Sequence, residues 1–160
     1  MNSKKQIDLK DYQSIFKNIN DLICIINTEG YFRIVNSAFH KLLGWTEEEL
    51  FGVPFTDFIH PEDLEKTSAA VAILEEGKIL ELISNRYRTK TGEYLHINWQ
   101  GNIDPASKEI IAIGRNITHQ HYKNQEFELL SKVVSRTKDV VVITDTTGKI
   151  VWVKIKHLKN

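Results

Sequence analysis

The chain has 160 residues, 41% hydrophobic and 26% charged, with 21 basic and 21 acidic residues and a formal net charge of zero. That length suits one compact domain with residues to spare, and neutrality without a basic block excludes an obvious nucleic-acid or anionic-membrane footprint. No run approaches the ~20 apolar residues of a membrane span, and a single cysteine, Cys24, cannot form an internal disulfide, so the expectation is a cytoplasmic chain with no membrane contact.

Residues 5–20 place Leu9, Tyr12, Phe16 and Ile19 at helical spacing, which predicts a short amphipathic helix leading into the domain. Leu22–Ile26 is a short apolar run, Asn27-Thr28-Glu29-Gly30 has turn chemistry, and Tyr31–Val35 resumes as a strand: a hairpin. Asn36 is placed to cap a brief helix through Phe39, Leu42 and Leu43 that Gly44 ends. Thr46 to Glu49 forms a capping box. His60-Pro61-Glu62-Asp63 starts another helix, with Leu64, Val71 and Leu74 expected on its apolar stripe. From Ile79 to Lys90 the pattern is strand-like. Leu95, Ile97, Trp99, Gly101 and Ile103 then alternate with polar residues, so one face of that strand is buried and the other wet. Ile110 to Arg115 is the last strand. Two strands, short helices and three strands predict an α+β fold with an antiparallel sheet. Residues 119–138 read as an exit helix, with Tyr122, Phe127, Leu130, Val133 and Val134 recurring at threes and fours.

Residues 139–153 echo residues 21–35 without a gap: Asp139 matches Asp21, Ile143 matches Ile25, Thr146 matches Thr28, Gly148 matches Gly30 and Val153 matches Val35, an offset of 118 residues. Two hairpins can look alike through shared turn chemistry alone, but a match through strand, turn and strand asks for more. The expected organisation is an N-terminal helix over 1–19, a domain over 20–118, a connector helix over 119–138, and the truncated start of a second copy over 139–160.

Several motifs occur in order: Asn27-x-x-Gly30, Val35-Asn36-x-x-Phe39, Leu43-Gly44-Trp45-Thr46-x-x-Glu49-Leu50-x-Gly52, Phe58-Ile59-His60-Pro61-Glu62-Asp63, Tyr87-Arg88-x-Lys90-x-Gly92 and Gly114-Arg115-Asn116-Ile117-Thr118. As a set they resemble a PAS domain of the kind found in bacterial sensor histidine kinases. The resemblance implies a five-stranded antiparallel sheet with short helices over one face and a ligand or cofactor between them. It also implies a helical connector to the next domain. Ile25, Val35, Phe39, Leu43, Phe55, Phe58, Ile97, Trp99 and Ile113 are then the candidate pocket wall, and Asn116, Ile117 and Thr118 the candidate relay. Relatives carry Asp-Ile-Thr at that relay. Asn116 can hydrogen-bond there but cannot form an ion pair.

No familiar cofactor ligand is evident. Cys24 lies in a strand and reads as a small buried hydrophobe rather than a flavin-reactive thiol. Residues 62–77 hold no histidine for a haem, and His60 only precedes them. His119 and His121 stand two apart on a helix and point to different faces, while His40 and His96 read as surface residues. The expectation is a non-enzymatic sensory or relay module of a signalling protein, with a histidine kinase as the expected parent, that binds either an unknown small ligand or nothing, relays conformational change through its connector helix, and has no predicted cofactor. It is expected to homodimerise through its flanking helices and to act on adjacent domains. The alternatives are a ligand-free interaction module and a flavin or haem redox sensor.

Overall fold

The computed structural model describes residues 8–77, 80–136 and 141–154; residues 5–7 of the expected first helix, Ile79, and the ends of the expected second copy lie outside them. The chain divides into two compact units after Thr118.

In the first unit, α1 (Leu9–Asn18) leads to β1 (Leu22–Ile26) and β2 (Phe32–Val35), then α2 (Ser37–Leu43), α3 (Glu47–Phe51) and α4 (Leu64–Glu75), and finally β3 (Leu80–Arg88), β4 (Tyr94–Ile103) and β5 (Ile110–Asn116). The strands form one antiparallel sheet in the order β2-β1-β5-β4-β3, as the α+β reading expects. Strand alternation sorts the sheet into two faces. Leu22, Cys24 and Ile26 of β1, Ile97 and Trp99 of β4 and Ala112 of β5 are buried on the inner face with Phe39, Leu43, Leu50 and Phe58. Ile111 and Ile113 of β5 turn to the outer face and are exposed.

Local chemistry fixes the connections. Asn27 Oδ1 accepts from the backbone N–H groups of Glu29 and Tyr31 at 3.1 and 2.9 Å, and Gly30 takes the left-handed conformation that closes this turn, with φ 85°. The capping box of α3 forms as expected between Thr46 and Glu49. Glu49 also takes an ion pair from Lys90 at 2.7 Å, which ties α3 to the end of β3. Asn36 occupies the cap position of α2 but makes no cap bond. Its Oδ1 accepts from Ile23 N–H and its Nδ2 donates to Asp21 C=O, so this buried amide pins the start of β1 instead.

The helix expected at His60 begins later. Pro61–Asp63 is a 3-10 turn, and α4 runs from Leu64. Its buried stripe is Thr67, Ala70 and Leu74, with Leu64 exposed and Val71 half-buried, so of the expected stripe only Leu74 is fully inside. The cause is Asp63. Its carboxylate accepts the backbone N–H of Arg86 at 2.8 Å and pairs with the Arg86 guanidinium and Lys66. Those bonds hold the first turn of α4 on β3 and rotate the 63–67–70–74 row toward the sheet. The Arg86 guanidinium keeps the Asp63 carboxyl well below the usual carboxylate range.

The second unit holds most of α5 (Thr118–Arg136) and a hairpin of β6 (Val141–Thr144) and β7 (Ile150–Lys154). The hairpin repeats the first pairing position for position. Val142 faces Val153, Ile143 faces Trp152 and Thr144 faces Ile150, with the register shift between Ile143 and Thr144. In the first hairpin Cys24 faces Val35, Ile25 faces Ile34 and Ile26 faces Phe32, with the shift between Ile25 and Ile26. The turns agree too: Asp145 Oδ1 accepts from Thr147 and Lys149 N–H as Asn27 does from Glu29 and Tyr31, and Gly148 has φ 84°.

Candidate functional site

A cavity of about 50 Å³ lies between α4 and the inner face of the sheet. Its floor is Cys24 and Ile26 of β1, Ile83, Asn85 and Tyr87 of β3, Trp99 and Gly101 of β4, and Ile110 and Ala112 of β5; its roof is Thr67, Ala70, Val71 and Leu74 of α4, with Phe55 at one side. Five of these residues, Ile26, Phe55, Val71, Leu74 and Ile110, also wall an open cleft of about 580 Å³, which adds Asn27, Thr28, Glu75, Asn102 and Lys108 among its lining. Cavity and cleft thus adjoin across shared walls and are together called the recess, apolar within and polar at its mouth. A mouth of that volume lies in the range of small-molecule sites.

Three polar side chains of the inner wall join in one hydrogen-bonded chain. Trp99 Nε1 donates to Asn85 Oδ1 at 3.0 Å, Asn85 Nδ2 donates to Thr67 Oγ1 at 3.1 Å, and the Thr67 hydroxyl donates to the Asp63 carbonyl at 2.7 Å. This buried chain ties β4 through β3 to the first turn of α4, where a satisfied network rigidifies rather than costs. The Trp99 ring lies flat on Gly114 of β5, so close that a Cβ there would sit 2.6 Å from it. Tyr87 packs on the other ring contact at 5.2 Å. Burial pushes the Cys24 thiol far up, so it remains protonated and acts as a small apolar wall.

Of the nine pocket residues expected from the sequence, Phe55 and Trp99 line the cavity. Val35, Phe39, Leu43, Phe58 and Ile97 are buried in the core beside it, where Phe39 meets Trp99 at 6.4 Å. Ile25 and Ile113 do not come near it. They stand on the outer face of the sheet, because Ile25 alternates with inward Cys24 and Ile26, and Ile113 with inward Ala112 and Gly114. Asn85 and Thr67, the polar centre of the wall, were not expected. Asn85 shares its strand phase with Ile83 and Tyr87, which is the signal that would have found it.

The expected relay residues come together at the other end of β4. The His96 backbone N–H donates to Thr118 Oγ1 at 2.9 Å, and Ile117 N–H donates to the His96 carbonyl at 2.9 Å. Thr118 N–H and hydroxyl both donate to Asn116 Oδ1, at 2.9 and 2.6 Å. Thr118 is the first residue of α5. Asn116 thus receives the bonds at the helix start, while the Thr118 hydroxyl clips that start to β4. His60 Nδ1 accepts from Glu62 N–H at 3.2 Å and its ring abuts Tyr94; among the described residues no histidine lines the recess. Among the described residues, no helix is long and apolar enough to cross a membrane.

Residues 32–116, more than half of the chain, match the model of a family described as the PAS fold. The chain belongs to the PAS fold family. Most of the cavity wall, its hydrogen-bond chain and the His96 end of the joint lie within the matched residues of this PAS domain. The probable diguanylate cyclase DgcE of Escherichia coli (strain K12) is 33% identical over 72 residues, a match that takes in 44% of this chain but spans only 6% of that relative. Among solved structures, the PAS domain of a protein from Colwellia psychrerythraea superposes with a TM-score of 0.60 at 24% identity, covering 69% of this chain and 98% of that one. A domain of the sensory box sensor histidine kinase/response regulator from Geobacter sulfurreducens superposes with a TM-score of 0.57 at 22% identity, over 67% of this chain and 92% of that one. These structures share the fold of this chain.

Proposed function

We propose that this PAS domain binds a small ligand in the recess under α4 and relays the resulting conformational bias into α5. One observation carries the reading: a single strand, β4, bears Trp99 in the cavity wall and, three residues away, His96, both of whose backbone groups hold the start of α5. A ligand that displaces Trp99 acts on the strand that anchors the helix. It produces a signal only if it binds the two arrangements of that joint with different affinity. The domain by itself is read as non-catalytic and cytoplasmic, serving a larger signalling protein such as a histidine kinase or a cyclase. Matched registers support reading β6–β7 as the opening hairpin of a second PAS copy.

A second reading is favoured by the flanking helices. No residue of α1 is buried, and Leu9, Tyr12 and Ile15 are 72%, 60% and 52% exposed; Phe127, Leu129 and Leu130 of α5 are exposed as well. Apolar helix faces of this kind suit homodimer contacts. The relay reading is tested by screening small molecules for a rise in melting temperature and then following amide exchange in α5 with and without the hit. Binding should alter exchange in α5, and Thr118→Val should abolish that response while binding persists at an affinity changed by about fivefold. A hit that leaves α5 unchanged in the wild type contradicts the relay.

A further inference from the structure

We propose that the ligand of this recess is an amphipathic monocarboxylate, with its alkyl end in the inner cavity and its carboxylate at Lys108. This rests on the recess being a ligand site, and it names the chemical class that fits.

The inner end favours an apolar group. Cys24, Ala70, Ile83 and Ala112 line it without a charge. The Trp99 N–H and the Thr67 hydroxyl proton are already engaged with Asn85 and Asp63, which leaves the Tyr87 hydroxyl as a polar group of the wall outside that chain. A polar ligand group placed there would lose its hydration without gaining these donors. The space of about 50 Å³ is narrow, which suits the end of an unbranched chain and excludes a ring system unless the wall moves.

The mouth has the opposite character. Lys108 is exposed on the cleft wall, and among the described residues it enters no ion pair. Of the two acids beside it, Asp104 feels the Lys108 charge while accepting from the Ser107 N–H and hydroxyl, and Glu109 is paired with Arg33. The Asn27 amide oxygen is engaged by its own turn, so this side chain has only N–H donors left for the cleft. Among the described residues, Lys108 is the single cation of the lining and Glu75 its single acid. A lone exposed cation can hold a single negative charge, whereas a phosphate draws on several cations or an arginine fork.

The test uses the full chain with decanoate, hexanoate, decan-1-ol and decyltrimethylammonium below their aggregation limits. Binding is read by calorimetry and by tryptophan fluorescence, for wild type, Lys108→Gln and Ala70→Leu, with circular dichroism to show that each variant is folded. Decanoate should bind more tightly than hexanoate by about fourfold per buried methylene. Lys108→Gln should weaken decanoate by roughly threefold to tenfold while leaving decanol unchanged. A folded Ala70→Leu should weaken both by filling the cavity. Equal binding of all three ten-carbon probes, unaffected by Lys108→Gln, overturns the carboxylate assignment while the recess reading stands. Unchanged decanoate binding in folded Ala70→Leu overturns the placement of the tail. Binding of none of the probes, alongside a melting-temperature hit of another class, overturns the amphiphile alone; no hit of any class overturns the recess reading with it.

Discussion

Replacing Gly114 by alanine should destabilise this domain by an amount that the Trp99 geometry sets. A strand glycine normally gains from the change, by about 0.5–1 kcal/mol, through reduced freedom of the unfolded chain. Here the new Cβ would meet Trp99 Cζ3, Cε3 and Cη2 at 2.6, 2.7 and 2.8 Å. The ring must move away by roughly 1 Å to reach ordinary contact. On its other sides it meets Tyr87 at 5.2 Å and Phe39 at 6.4 Å between ring centres, and its N–H is fixed to Asn85 Oδ1 at 3.0 Å. Overpacking of this kind costs about 1–3 kcal/mol, and loss of the buried hydrogen bond adds about 1–2 kcal/mol. The expected loss is then about 2–4 kcal/mol, or a fall of roughly 10–25 °C in melting temperature for a domain of this size. Urea unfolding followed by tryptophan fluorescence measures it. In a Trp99→Phe background the same alanine should cost markedly less, since the smaller ring leaves room, and the double-mutant cycle isolates the contact. A Gly114→Ala protein within about 0.5 kcal/mol of wild type, with ligand binding intact, would refute the close contact.

Asn116→Asp should stabilise the start of α5 at neutral pH by about 0.3–1 kcal/mol, because a carboxylate there accepts the same two Thr118 donors and complements the positive helix end. The gain belongs to the ionised acid, so it should vanish as pH falls through the carboxyl's depressed folded pKa, as paired melts of both proteins would show. Asp63 has a depressed folded pKa for the same kind of reason. Its contribution is therefore complete above the unfolded carboxyl value of about 3.9 and is lost as pH falls below it. Asp63→Asn should be less stable than wild type at pH 7, and stability profiles of the two should converge in acid. Cys24 is buried with its thiol pKa raised, so a thiol reagent at pH 8 should label it no faster than the domain unfolds; rapid stoichiometric labelling of the native protein would contradict its place in the wall.

The fold was legible where periodicity and turn chemistry agree. The Asn27 to Gly30 turn, the Thr46–Glu49 capping box and the alternation around Trp99 each specify one local structure, and all three formed. The candidate site was legible only in part. Leu22 to Ile26 is apolar at every position, so its pattern cannot say which side chains face the helices, and Cys24 rather than Ile25 turned inward. The same ambiguity misplaced Ile113 in a strand whose inward positions are Ala112 and Gly114. The α4 stripe was read from its large residues, whereas the buried row begins at Asp63 and runs through Thr67 and Ala70. That rotation is set by the ion pair with Arg86, 23 residues away in sequence, a non-local choice that no helical period contains.

The central claim is that β4 couples the recess to the start of α5, and coupling of this kind is reciprocal. The most direct measurement is amide exchange at His96, whose N–H is donated to Thr118 Oγ1, in the free protein and with a bound ligand. The account predicts that its protection changes by about fivefold or more, in the range typical of coupled sites, and that Thr118→Val changes ligand affinity by the same factor. Protection at His96 that stays constant while amides around Trp99 respond to the ligand would contradict it.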